Sequence, residues 1–236
     1  MDANKTYKLG SLTLVIDPKF LIARGSDGTQ VFLSLRDDST EVAVKRIDKF
    51  NYQDLKNEEE FLRFPELDSP FIVRYVDFAE DHNFGYLALQ LCEYTLEEYI
   101  QKHLPDDNAE RILVLKKLVK EVLCSLQVLH QPQTKVLHRD IKPQNVLIDI
   151  KGKAKLADFG ISRRLKQGET TIQTVKLWNI HPKLVMCLQR MADKEDAVKI
   201  NLMSLFPDLF GSVYLFAKEK GWHTRESVMM DINSAS

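Results

Sequence analysis

The chain has 236 residues, 44% hydrophobic and 28% charged, with a formal net charge of -1. That length allows one domain of two lobes or two small domains, and so even a charge gives no pull toward nucleic acid or a membrane surface. Cys92, Cys124 and Cys187 show neither metal-ligand spacing nor a disulfide framework, the N-terminus is polar, and no apolar run spans a bilayer, so the expectation is a soluble cytoplasmic protein.

Residues 12–16, 20–24, 29–35 and 41–47 read as short β-strands, rich in β-branched and aliphatic residues and separated by turn residues such as Asp17-Pro18 and Asp27-Gly28. Residues 52–64 read as a helix with an acidic face, stopped before Pro65. Strand character returns at 72–78 and 84–91. Residues 95–103 form a short helix, and 110–130 are the clearest helix in the chain. Its apolar positions Ile112, Leu115, Leu118, Val119, Val122, Leu123, Leu126 and Leu129 recur at helical spacing. Strands with one helix, then mostly helices, describe a two-lobed α+β protein.

The chemistry concentrates in two phrases, V-L-H-R-D-I-K-P-Q-N-V-L-I at 136–148 and L-A-D-F-G at 156–160. No fold-stabilising need asks for that ordered set of polar residues. Upstream, V-A-V-K at 42–45 ends an apolar strand on Lys45, and a buried lysine requires a partner. Glu58, Glu59 and Glu60 compete for that place. Glu58 is preferred, because Phe61 and Leu62 then follow three and four residues on along the core-facing stripe. Gly25 and Gly28, in A-R-G-S-D-G-T-Q-V, allow close approach of backbone N–H groups to phosphate. Two glycines alone make an ordinary hairpin turn, and Lys45 downstream is what favours the phosphate reading.

From these motifs, residues 9–174 resemble a eukaryotic serine/threonine protein kinase domain. Within kinases they resemble the kinase module of the inositol-requiring kinase/endoribonuclease family of the unfolded-protein response. The phrases that point there are G-x-x-G-T at 25–29, V-A-V-K-R-I at 42–47 and L-x-L-C-x-x-T-L-x-E-Y at 89–99. The resemblance implies a two-lobed protein-kinase-like fold with a small β-rich N-lobe over 9–91. An incomplete helical C-lobe then runs over 92–174, and 175–236 do not match.

The implied activity is transfer of the γ-phosphoryl of ATP to protein hydroxyls, autophosphorylation included, with Mg2+. Asp140 would take or orient the acceptor proton, and Lys142 would neutralise charge on the transferred group. Lys45, held by Glu58, would touch the α- and β-phosphates. Asn145 and Asp158 would hold the metal. Gly25 and Gly28 would cover the phosphates. Val31, Ala43 and Leu147 would enclose the adenine, with Leu89 as gatekeeper and the main chain of Gln90 and Cys92 as the hinge. Two departures weaken the match: Ala23 replaces the first glycine, and Gln30 stands where a valine is expected, with Val31 one place later.

Arg139 beside Asp140 implies docking of a phosphorylated loop, for which Thr170, Thr171 and Thr174 are candidates. Past Thr174 there is no A-P-E phrase and no D-x-W-x-x-G helix. That abrupt stop favours sequence from an alternative exon over a makeshift end of the lobe. No residue carries over to a ribonuclease activity. The partners implied are a protein substrate and self-association or association with a full-length relative, with no nucleic acid and no membrane. The alternative function is an ATP-binding, inactive module acting through such an association.

Overall fold

The structure, a computed structural model, describes residues 5–25, 27–131 and 133–165. Seven antiparallel strands build the first lobe: β1 (Lys5–Leu9), β2 (Leu12–Ile16), β3 (Leu21–Arg24), β4 (Gln30–Arg36), β5 (Glu41–Asp48), β6 (Tyr75–Glu80) and β7 (Phe84–Gln90). Their order is β1-β2-β4-β5-β7-β6, with β3 also paired to β4. Strand alternation divides the sheet into two faces. One buries Leu12, Leu14, Phe32, Val42, Val44, Tyr86 and Ala88 as a small core.

The other face turns toward the second lobe. There the register sets Val31 opposite Lys45, and Ala43 opposite both Leu33 and Leu89. One helix, α1 (Gln53–Leu62), packs on this side. Its buried positions are Leu55, Glu58, Glu59, Phe61 and Leu62, and the helix ends before the short 3-10 turn Pro65–Leu67.

The second lobe holds α2 (Leu96–Lys102) and α3 (Asn108–His130), with the short strands β8 (Tyr94–Thr95), β9 (Val136–Leu137), β10 (Val146–Ile148), β11 (Ala154–Leu156) and β12 (Arg163–Arg164). Thr95 caps α2 in a reciprocal box with Glu98, and Asp107 accepts from the Glu110 N–H at the start of α3. Along α3, Leu115, Leu118, Val119, Val122, Leu123, Leu126 and Leu129 are buried, as their spacing predicts, while Ile112 is half-buried. Buried Glu121 on this helix accepts the Ala154 N–H at 2.8 Å, which ties α3 to β11.

The expected α+β architecture of two lobes is what the described residues form. One expected strand is displaced. Residues 72–78 read as a strand of the first lobe, but β6 begins at Tyr75. Ile72 instead bridges Leu156 in parallel, with Val73 N–H to Leu156 O and Leu156 N–H to Phe71 O, both at 2.9 Å. The start of this apolar run therefore links the two lobes.

Candidate active site

Two short pairings bring the chemical phrases together. β10 pairs with β11, and β9 with β12, so the loops 138–145 and 157–162 lie side by side. The Ala157 N–H donates to Asn145 O at 2.9 Å, and Ser162 Oγ donates to His138 O at 3.2 Å. His138 is buried, and burial depresses its imidazole to about 4. As a neutral ring it donates from Nε2 to Ala157 O at 2.9 Å and accepts the Asp140 N–H at Nδ1, 3.4 Å away. Phe159 meets it edge-on, 4.8 Å between ring centres. Both residues are packing groups that fix the two loops.

Lys45 joins the lobes. Its ammonium donates to Glu58 Oε2 at 2.7 Å and to Asp158 Oδ1 at 2.9 Å. Burial works against its charge, but Glu58 and then Asp158 more than offset this and raise its pKa. Burial pushes Glu58 up while Lys45 pulls it back. Burial also opposes the Asp158 charge, yet Lys45 holds that carboxyl below its usual range. Of the three candidate glutamates, Glu58 reaches the lysine, Glu59 pairs with Arg63 at 3.0 Å, and Glu60 is exposed.

In the loop after β9, Asp140 Oδ2 accepts from Lys142 Nζ at 2.6 Å and from Asn145 Nδ2 at 2.9 Å. The Asn145 amide nitrogen also reaches Asp140 O at 2.9 Å, which leaves its amide oxygen as an acceptor for a cation. Among the described residues, no cluster of three or more His, Cys, Asp or Glu side chains could cage a metal. Two oxygen donors, from Asp158 and Asn145, suit Mg2+, which takes its other ligands from phosphates and water.

A cleft between the lobes is lined by Asp27 and Thr29 of the β3–β4 hairpin together with Lys45, Asp140, Asp158 and Ile161. The hairpin closes with the Gly25 N–H on Thr29 O at 2.8 Å, and Gly28 adopts φ +87°, which its lack of a side chain permits. Asp27 accepts from the Thr29 hydroxyl and N–H; these bonds outweigh its partial burial and lower its pKa.

Val31, Ala43 and Leu89 share the sheet face that carries Lys45, so the valine one place late still faces the cleft. Leu147, in β10, packs from the second lobe against the core that contains Leu89. The Gln90 N–H is engaged by Arg74 O at 2.9 Å, whereas the Cys92 N–H has no main-chain partner among the described residues. Burial pushes the Cys92 thiol up to about 12, as befits a packed side chain. Arg139 adopts φ +70° and donates from Nε to Ile161 O. Thr170, Thr171 and Thr174, and the segment 175–236, fall outside the described residues.

Asn57 was not singled out from sequence. It sits in a polar stretch of α1 with no periodic signal, yet its amide contacts the main chain that follows Asp158.

A β-rich lobe whose strand lysine bridges a helix glutamate and the aspartate of D-F-G, above a loop carrying H-R-D-x-x-x-x-N, is the arrangement of a phosphoryl-transfer cleft. The chain belongs to the protein kinase domain family, whose profile matches residues 19–203. That match runs on past Thr174. Its relatives include the serine/threonine-protein kinase/endoribonuclease ire-1 of Caenorhabditis elegans, 33% identical over 165 residues and covering 67% of this chain. The sensor for unfolded proteins in the ER, ire1, of Schizosaccharomyces pombe is 30% identical over 176 residues, covering 70% of it. The serine/threonine-protein kinase PrkC of Bacillus subtilis is 33% identical over 150 residues, covering 60%. The chain spans only 16% of the length of each of the first two and 22% of the third. No described helix is long and apolar enough to cross a membrane.

Proposed function

We propose that this chain is a serine/threonine protein kinase that transfers the γ-phosphoryl of ATP to protein hydroxyls, its own included. The observation that carries this is the single ammonium of Lys45 bridging Glu58 and Asp158 across the lobes. Lys45 neutralises the α- and β-phosphates, and Glu58 keeps the lysine aimed into the cleft. The main chain at Gly25 and Gly28 covers the phosphates. Adenine lies between Val31 and Ala43 above and Leu147 below, limited at the back by Leu89, with the main chain of Gln90 and Cys92 along its edge.

Asp140 orients the acceptor hydroxyl and receives its proton, and Lys142 neutralises charge on the group in transit. Asn145 and Asp158 hold Mg2+. When bound, the metal neutralises phosphate charge and aligns the leaving oxygens. Residues 9–91 and 92–174 act as the two lobes around this site. We assign the reaction to the cytoplasm, where ATP is abundant and Cys92 and Cys124, both free, stay reduced. The named relatives support a place in the unfolded-protein response.

A second reading is an ATP-binding, inactive module that acts by associating with a full-length relative. Ala23, at the place of the first glycine, favours it. Thermal unfolding and a phosphotransfer assay separate the two. Mg-ATP should raise the midpoint of the parent chain and raise that of Asp158→Asn less, since a ligand of the folded state stabilises it. Phosphate incorporation that disappears in Asp140→Asn supports the kinase. A raised midpoint with no incorporation supports the binding module. No shift with Mg-ATP rejects both.

A further inference from the structure

Asn57 precedes Glu58 on α1, and the phosphotransfer reading gives it no task. Its side-chain nitrogen lies 3.2, 2.7 and 3.2 Å from the carbonyl oxygens of Phe159, Gly160 and Ser162. Two amide hydrogens thus serve three acceptors across four residues. Gly160 seats on the same helix: a β-carbon there would stand 3.1 Å from Asp54 Cβ and 3.3 Å from Asp54 O. Asp158 itself holds φ +66°, a left-handed conformation that persists when the surroundings over-determine it. Glu58 and Asn57 leave α1 about 100° apart around its axis. One side chain reaches the strand lysine and the other reaches the turn behind the metal-ligand aspartate. A single seat of the helix therefore satisfies both contacts.

We propose that Asn57 is a positioning residue for the metal. It holds the turn after Asp158 against α1, so that the Asp158 carboxylate is presented to the cation in a fixed position. This rests on the kinase reading above and deepens it by naming the side chain that fixes the turn behind the metal-ligand aspartate.

Calorimetric titration of the full chain with a non-hydrolysable ATP analogue, once with EDTA and once with Mg2+, gives the gain in affinity that the metal supplies. Asn57→Ala should keep the metal-free affinity within about twofold and lose about tenfold or more of the metal-dependent gain, as outer-shell partners of metal ligands do. Asn57→Gln, which keeps the amide, should recover part of it. A purely structural tether would lower both affinities together. If Asn57→Ala gains as much from Mg2+ as the parent, the inference is overturned while the kinase reading stands. If the parent gains nothing, or Asp158→Asn gains as much as the parent, the kinase reading fails and takes this inference with it. Should Asn57→Ala lose cooperative unfolding, Asn57→Ser, which retains one donor, is judged by the same two affinities.

Discussion

Lys45 and Glu58, thirteen positions apart, meet at 2.7 Å with the glutamate side chain 1% exposed and the lysine 22%. The second carboxylate oxygen, Glu58 Oε1, is buried with no hydrogen-bond partner. Lys45 is therefore the cation that offsets the charge of this glutamate, and the contact joins β5 to α1. An isolated buried carboxylate is costly, so the glutamate is buried here because the lysine meets it.

Removing half of that unit is expected to cost more than conserving its shape. Glu58→Ala should lower the unfolding free energy by about 3–5 kcal/mol, because it strands the Lys45 charge on Asp158 alone. Glu58→Gln keeps the volume and one acceptor, and should cost about 1–3 kcal/mol. Both should depress phosphotransfer. Urea unfolding beside a turnover assay checks this, and equal costs for the two variants would mean that the lysine finds another partner.

Asp140 is held by two donors, Lys142 at 2.6 Å and Asn145 at 2.9 Å. Asp140→Asn should leave the proposed nucleotide contacts untouched. It should lower phosphotransfer about 10²–10⁴-fold, the span expected for loss of a general base, while nucleotide affinity stays nearly constant. Persistence of phosphate incorporation at the parent rate would remove Asp140 from the mechanism.

Much of this fold is legible in the sequence where a period repeats. The α3 stripe from Leu115 to Leu129 and the alternation in β4 and β5 each fill enough turns or pleats to stand out. Ile72 and Val73 lie outside β6 and pair with Leu156, because an apolar run states that it is buried and not which strand covers it. The strands β8, β9, β10, β11 and β12 have two or three residues each, too few for a period, and exist because β9 and β10 flank one chemical loop and β11 and β12 the other.

The site was legible where chemistry restricts residue type. The apolar stripe of α1 separates Glu58 from the exposed Glu60, whereas Glu59 is buried as well and differs by its pairing with Arg63. Asn57 could not be found the same way. Its partners are the carbonyls of Phe159, Gly160 and Ser162, and main-chain acceptors leave no mark in the residue types around them.

Gly160 is expected to resist enlargement. The added methyl of Gly160→Ala would press on the β-carbon and the carbonyl oxygen of Asp54, at 3.1 and 3.3 Å, inside the first turn of α1 where little can give. Overpacking of this kind costs about 1–3 kcal/mol. A β-carbon on Gly10 meets nothing within 4 Å, but φ there is +58°, so Gly10→Ala should lose about 1–2 kcal/mol through backbone strain alone. The discriminating measurement is Mg2+-dependent nucleotide affinity, which Gly160→Ala should reduce and Gly10→Ala should leave alone.

His138 makes stability depend on pH in a defined window. Its folded pKa is about 4, against an ordinary value of 6.5, because burial disfavours the cation. The unfolded chain therefore takes up this proton first as pH falls. The contribution is fully present above about pH 6.5 and is lost progressively down to about pH 4, below which both states are protonated. At about 1.4 kcal/mol per pKa unit, the loss across that window is roughly 3 kcal/mol. Glu58, which burial raises above the usual carboxylate range, takes up its own proton in the parent and in a His138 variant alike, so the difference between the two slopes belongs to His138. His138→Gln, whose amide can still donate to Ala157 O, should flatten the slope between pH 6.5 and 4.5 by close to one proton. Urea midpoints taken through this range for parent and variant provide the check, and identical slopes would mean that another group takes up the proton.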